Sequence, residues 1–255
     1  MEHSYLVNEH WGIKPVLFRM GNFEISTYSF FIALGIIAGV CVYFYEARKL
    51  QKNNEKTLMI VIGAFIGSVI GAKLLEILLN LESLRSGNDL LLFLFSGRTI
   101  IGGLIGGTLG VWTTKKILKI NVKRGNLFAP AIAIGVAIGR LGCFFEGCCY
   151  GTPSSLPWSV DFGDGILRHP TQLYEAVFML MIFLVIKLGF KNKEVPPGYL
   201  FNFLMIAYFS FRFLIEFIRT EKIAFFHLTY FQIICIFVLI YLIIANKRMG
   251  YGRRQ

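Results

Sequence analysis

The chain of 255 residues is 55% hydrophobic and only 16% charged, with a mean hydropathy of +0.62. Soluble domains carry about 25% charged residues, so this composition excludes an ordinary water-soluble fold. The formal net charge of +11 does not mark a nucleic-acid binder, because Lys and Arg lie in short segments between apolar blocks and form no basic face interleaved with aromatics.

The apolar residues come in blocks of about 20, the length at which a helix crosses a hydrocarbon layer. In chain order the spacing predicts spans over 28–46, 57–80, 99–115, 127–146, 172–190, 198–218 and 228–246. The first 27 residues are polar and mixed, without a compact basic start, a short apolar stretch and a small-residue cleavage site. The expectation is that no signal peptide is cleaved and that the first block stays as a helix. The segment Leu90–Phe95 is apolar but too short to span, and is expected to lie at the interface or to re-enter.

Seven spans put the termini on opposite sides. The loops after spans one, three and five and the C-terminal tail hold sixteen Lys and Arg, from Arg48 to Arg254, against seven on the other side, from Lys14 to Lys222. The positive-inside rule then sets the N-terminus outside and the C-terminus in the cytoplasm, with the basic loops facing anionic lipid of the bilayer. The expected fold is an all-α integral membrane protein of seven transmembrane helices, a single polytopic domain over residues 1–255.

On the third span Gly102, Gly103, Gly106, Gly107 and Gly110 allow a neighbouring helix or a lipid chain to approach closely. Charges stand where charges are expensive. Lys73, Glu76, Arg140, Glu146, Glu175, Arg212 and Glu216 fall within or beside spans, and a charge at mid-bilayer costs at least ~2.5 kcal/mol on insertion scales. On the sixth span Tyr208, Arg212, Glu216 and Arg219 recur at helical spacing and share one face, which must look at protein or water. An Arg212–Glu216 pair alone would only fix helix packing. Arg140 and Arg168–His169 add more cations than such a pair requires, and a surplus of guanidinium suits an anionic ligand, phosphate above all.

Of five cysteines, Cys41 and Cys235 lie in apolar runs, where a free thiol behaves as a small hydrophobe. Cys143, Cys148 and Cys149 cluster in sequence. Their C-x4-C-C spacing is poor for zinc without a fourth ligand, so no metal site is assigned. The remaining readings are small residues lining a turn and, after that, a reactive thiolate near Arg140.

The segment Gly139-Arg140-Leu141-Gly142-Cys143-Phe144-Phe145-Glu146-Gly147-Cys148-Cys149-Tyr150-Gly151, followed by Arg168-His169-Pro170-Thr171-Gln172-Leu173-Tyr174-Glu175, resembles the prolipoprotein diacylglyceryl transferase family. Tyr28 at the first span, Gly102-Gly103-Leu104-Ile105-Gly106 on the third and Tyr208 to Arg219 on the sixth fit in the same order, so the resemblance covers nearly the whole chain. Two departures stand out. Ile101 occupies the position of a family histidine, and Cys143, Glu146 and Cys148 stand where the family signature usually has asparagine, asparagine and glutamate.

The resemblance implies seven helices with the N-terminus outside. It also implies transfer of the diacylglyceryl group of phosphatidylglycerol onto the cysteine thiol of a secreted lipoprotein precursor at the outer leaflet of the bacterial cytoplasmic membrane, without metal or organic cofactor. In this reading Arg140 and Arg212 clamp the departing phosphate and His169, the one histidine in a matched motif, is the third catalytic candidate or a cap for the fifth helix. Tyr28, Gly102, Gly103, Tyr208, Glu216, Arg219 and Cys148 form the substrate-binding set. The alternatives are a paralogue with the same lipid donor and another acceptor, and a non-catalytic lipid-binding or transport protein.

Overall fold

The computed structural model describes residues 13–20, 23–50, 55–79, 99–121, 124–191, 193–220, 223–225 and 227–248; the segment Leu90–Phe95 lies outside them. Among the described residues seven helices follow the seven predicted spans. They are α1 (Thr27–Lys49), α2 (Glu55–Leu79), α3 (Ile100–Ile117), α4 (Gly125–Glu146), α5 (Thr171–Leu184), α6 (Tyr199–Ile215) and α7 (Tyr230–Arg248). A π-helical turn, Val185–Gly189, extends α5, and a 3-10 turn, Glu216–Ile218, extends α6. With these extensions five of the helices are long and apolar enough to cross a membrane, and α7 adds a shorter apolar stretch.

Polarity is inverted relative to a water-soluble fold. Ile37 and Ile70 are 59% and 60% exposed, while Arg140 and Glu175 are only 6% and 1% exposed. Apolar side chains facing out and charges facing in are what a hydrocarbon solvent selects.

The all-α expectation omits three short antiparallel hairpins: β1 (Val16–Met20) with β2 (Phe23–Ser26), β3 (Val160–Asp161) with β4 (Leu167–Arg168), and β5 (Ile223–Phe225) with β6 (Leu228–Thr229). They occupy polar connections, where no apolar run dictates helix. Each is tied to a helix end. Lys14 N–H donates to the Phe145 carbonyl (2.9 Å), Arg168 on β4, just before the start of α5, bridges Pro153, and Thr229 reaches Glu216. The start of α1, end of α4, start of α5, end of α6 and start of α7 thereby form one face of the bundle.

The described chain forms two compact units, one of Ala47–Lys123 and one of the residues up to Glu46 with those from Arg124 onward. In the first, α2 and α3 meet through Gly63, Gly67 and Gly71 against Gly102, Gly106 and Gly110. A Cβ on Gly106 would lie 2.6 Å from the Gly71 Cα, a backbone atom that cannot step aside. This is the small-residue packing by which membrane helices gain dispersion contacts. Thr99 caps α3, accepting from Gly102 N–H (3.3 Å) and donating to the Ala72 carbonyl (3.2 Å).

In the second unit α4 packs against α1, α5 and α6, and α6 against α7. Asn126, in the first turn of α4, accepts from the Gly198 and Leu200 N–H groups (2.9 and 3.1 Å) and so satisfies the open donors at the start of α6. At that same end Lys187 pairs with Glu46.

Candidate functional site

The hairpin-bearing end of the second unit gathers the buried charges. Arg140 projects from α4, Glu175 from the second turn of α5, Tyr208 and Arg212 from α6, and Glu216 and Arg219 from the turn that ends it. Arg140 Nη2 lies 2.8 Å from Glu175 Oε2, and Arg212 Nη1 lies 3.7 Å from that same oxygen. Arg212 Nη2 pairs with Glu216 Oε2 at 2.9 Å, and Arg219 Nε approaches it at 3.8 Å. Tyr208 donates to Glu175 Oε1 (3.1 Å), and Thr229 Oγ1 donates to Glu216 Oε1 (3.0 Å).

Local structure explains the convergence. Arg212 and Glu216 are four residues apart, so they stack on one face, and Phe231 on α7 lies under the Arg212 guanidinium at 5.2 Å from the ring centroid. The 3-10 turn then frees Arg219 to run back, where its Nη1 donates to the Cys149 carbonyl (3.1 Å). In these ion pairs three arginines meet two glutamates. Arg140 Nε, buried, makes no hydrogen bond among the described residues. Buried guanidinium donors of this kind suit an oxyanion.

The loop after α4 is locked to the start of α5. Gly147, at φ +73, ends the helix, and Gln172 Nε2 and Thr171 Oγ1 donate to the carbonyls of Cys148 (2.5 Å) and Cys149 (2.7 Å). The thiols of Cys143, Cys148 and Cys149 lie within 4.8 Å of one another. Arg140 Nη1 is 3.8 Å from the Cys143 sulfur.

His169 turns elsewhere. Trp158 Nε1 donates to the Tyr174 hydroxyl (2.7 Å), which in turn contacts His169 Nδ1 (3.3 Å). Nor does its ring cap α5, whose N-cap is Pro170 without a side-chain hydrogen bond. A cavity of about 770 Å³ opens beside this relay, lined by Phe144, Trp158, Val160, Leu167, Leu173 and Tyr174 among others. Outside the helices, Arg168 Nη1 holds Asp164 Oδ1 at 2.5 Å and keeps its carboxyl below the usual range.

Arg140, Tyr208, Arg212, Glu216 and Arg219, all singled out in the sequence, are thus joined in one network. Tyr28 lies at the start of α1 with its backbone against Gly142, and Cys148 is in the thiol cluster. Gly102 and Gly103 belong to the other unit, where they pack α3 against α2, as does buried Ile101. The residue missing from the sequence-derived site is Glu175, which bridges two arginines. Its signal was present, since it ends the His169–Glu175 run and is a carboxylate in an apolar block.

Residues 15–246 match the sequence model of the family described as prolipoprotein diacylglyceryl transferase. A phosphatidylglycerol–prolipoprotein diacylglyceryl transferase of Clostridium tetani is 34% identical over 218 residues, covering 82% of this chain and 86% of its own length. One from Finegoldia magna is 32% identical over 229 residues, covering 88% and 91%. One from Geobacter sulfurreducens is 34% identical over 215 residues, covering 81% and 82%. The matched region contains the whole arginine–glutamate network, and this chain belongs to the prolipoprotein diacylglyceryl transferase family.

Proposed function

We propose that this protein is a transferase that moves the diacylglyceryl group of phosphatidylglycerol to the cysteine thiol of a lipoprotein precursor at the outer leaflet of the bacterial cytoplasmic membrane. The observation that carries the proposal is the cluster in which Arg140, Arg212 and Arg219 converge on the buried carboxylates of Glu175 and Glu216. The proposal includes a single polytopic domain of seven spans, with the N-terminus outside and the C-terminus in the cytoplasm, so that the hairpin-bearing face and its arginines meet the outer leaflet.

The reaction is displacement at an sp3 carbon. A carbon–sulfur bond forms on the glyceryl carbon, the carbon–oxygen bond to phosphate breaks, glycerol phosphate leaves, and the thiol proton is given up. Charge grows on the departing phosphate, so its stabilisation by preorganised guanidinium donors is the largest contribution this site can make. Arg140 and Arg212 are assigned that role. Glu175 and Glu216 hold the forks in orientation, Tyr208 fixes Glu175, and Arg219 ties the network to the Cys149 carbonyl. Tyr28, beside Gly142, is assigned to the lipid head group.

His169 is given a positioning role, since its Nδ1 faces the Tyr174 hydroxyl and not the arginine network. The cavity beside Trp158 and Tyr174 suits an apolar part of a substrate. The test is transfer from labelled phosphatidylglycerol to a lipobox peptide by the purified protein, with complementation of a strain depleted of its own lipoprotein diacylglyceryl transferase. Failure of both with correctly inserted protein overturns the acceptor; phosphatidylglycerol binding without transfer would favour the lipid-binding alternative.

A further inference from the structure

The C-x4-C-C spacing is poor for zinc without a fourth ligand, yet the fold brings the three thiols together. Two left-handed residues do this. Gly147, at φ +73, reverses the chain after α4, and Cys149, at φ +64, takes a conformation that residues with a Cβ rarely adopt. The strained turn is held from three sides, by Gln172 on the Cys148 carbonyl and by Thr171 and Arg219 on the Cys149 carbonyl. Strain that the surroundings enforce is a mark of a functional position.

The sulfurs all lie within 4.8 Å of one another, so no separation exceeds by more than about 1 Å the ~3.8 Å between thiolates that share a tetrahedral ion at bonds of ~2.3 Å. Side-chain rotation of that size closes the set. Arg140 Nη1, 3.8 Å from the Cys143 sulfur, supplies an N–H toward the ligand atoms, as the surroundings of metal thiolates commonly do.

We infer that Cys143, Cys148 and Cys149 form a binding site for a thiophilic d10 divalent cation, Zn²⁺ in the first instance, with the fourth coordination position open. Binding exchanges up to three thiol protons for the ion and requires neither oxidant nor reductant. The site borders Arg140 of the phosphate clamp, and metal binding is therefore measured separately from transfer.

The test uses the full-length protein, reduced and metal-free in detergent. Zn²⁺ is titrated in competition with a chromophoric chelator, and Cd²⁺ serves as a second probe through its thiolate charge-transfer absorption. One equivalent should bind. Cys149→Ser and Cys143→Ser should each weaken binding on the order of a hundredfold, whereas Cys41→Ser and Cys235→Ser should leave it unchanged. Where a serine variant does not accumulate, bound Zn²⁺ should shield Cys148 and Cys149, the two ligands that are not buried, from a maleimide in the natural protein. Substoichiometric metal, binding that survives Cys149→Ser, unchanged maleimide labelling, or thiols lost to a disulfide instead of to metal would each overturn the inference.

Discussion

Arg140 on α4 and Glu175 on α5 form a 2.8 Å ion pair in which both side chains are almost fully enclosed by protein. The same Glu175 oxygen also faces Arg212 at 3.7 Å, so one carboxylate orients two guanidiniums. Removing one partner of such a pair leaves an uncompensated buried charge and is more damaging than the pair's net worth suggests.

Arg140→Lys and Arg212→Lys should each lower diacylglyceryl transfer by about 10²–10³-fold, the cost of losing a preorganised donor to a developing oxyanion. Lysine keeps the charge and loses the planar fork. Protein level and melting temperature are to be measured alongside turnover. Full activity in either variant would remove bidentate phosphate recognition from the mechanism.

Glu175→Gln preserves shape and a hydrogen-bond acceptor for Tyr208 while deleting the shared negative charge. The expected destabilisation is ~3–5 kcal/mol, read as a fall in melting temperature in detergent, together with reduced transfer. A variant of unchanged stability and activity would show that the arginines do not depend on Glu175 for their placement.

Gly106→Leu should prevent α2 and α3 from closing, since even a Cβ there meets Gly71 backbone. The measurement is accumulation of folded protein in the membrane. Gly189→Ala is the control, because its Cβ meets only a Val185 methyl, at 3.9 Å, and it should accumulate normally.

Reporter fusions at the C-terminus and in the 191–197 loop should both read cytoplasmic, as the sixteen-to-seven distribution of basic residues requires. An external signal from either would move the arginine network to the inner leaflet and end the proposed reaction with an outer-leaflet acceptor.

The β3–β4 turn should loosen in acid. Arg168 lowers the folded-state pKa of Asp164, chiefly by hydrogen bonding, so the stabilisation is present above the unfolded carboxyl value of ~3.9 and is lost as pH falls through the folded value. The effect is small, because the Asp164 side chain is 46% exposed. Amide exchange at Ile166, whose N–H donates to Asp164 Oδ1, should report it after correction for intrinsic rates. Asp164→Asn should abolish the acid-dependent part.

The sequence by itself determined the helices, because a block of about 20 apolar residues is a local property that the hydrocarbon layer reads directly. Predicted and observed helix limits therefore differ by only a few residues. It also determined that Tyr208, Arg212, Glu216 and Arg219 share a face, since that follows from helical spacing alone. Only the tertiary structure decided that Glu175 is the carboxylate joining Arg140 to Arg212, that His169 turns to Tyr174, and that three thiols of unpromising spacing converge. Those outcomes depend on how α4, α5 and α6 rotate and cross, and on left-handed backbone at Gly147 and Cys149. Hydropathy carries neither, because it records how strongly each residue leaves water and not which neighbour it meets afterwards.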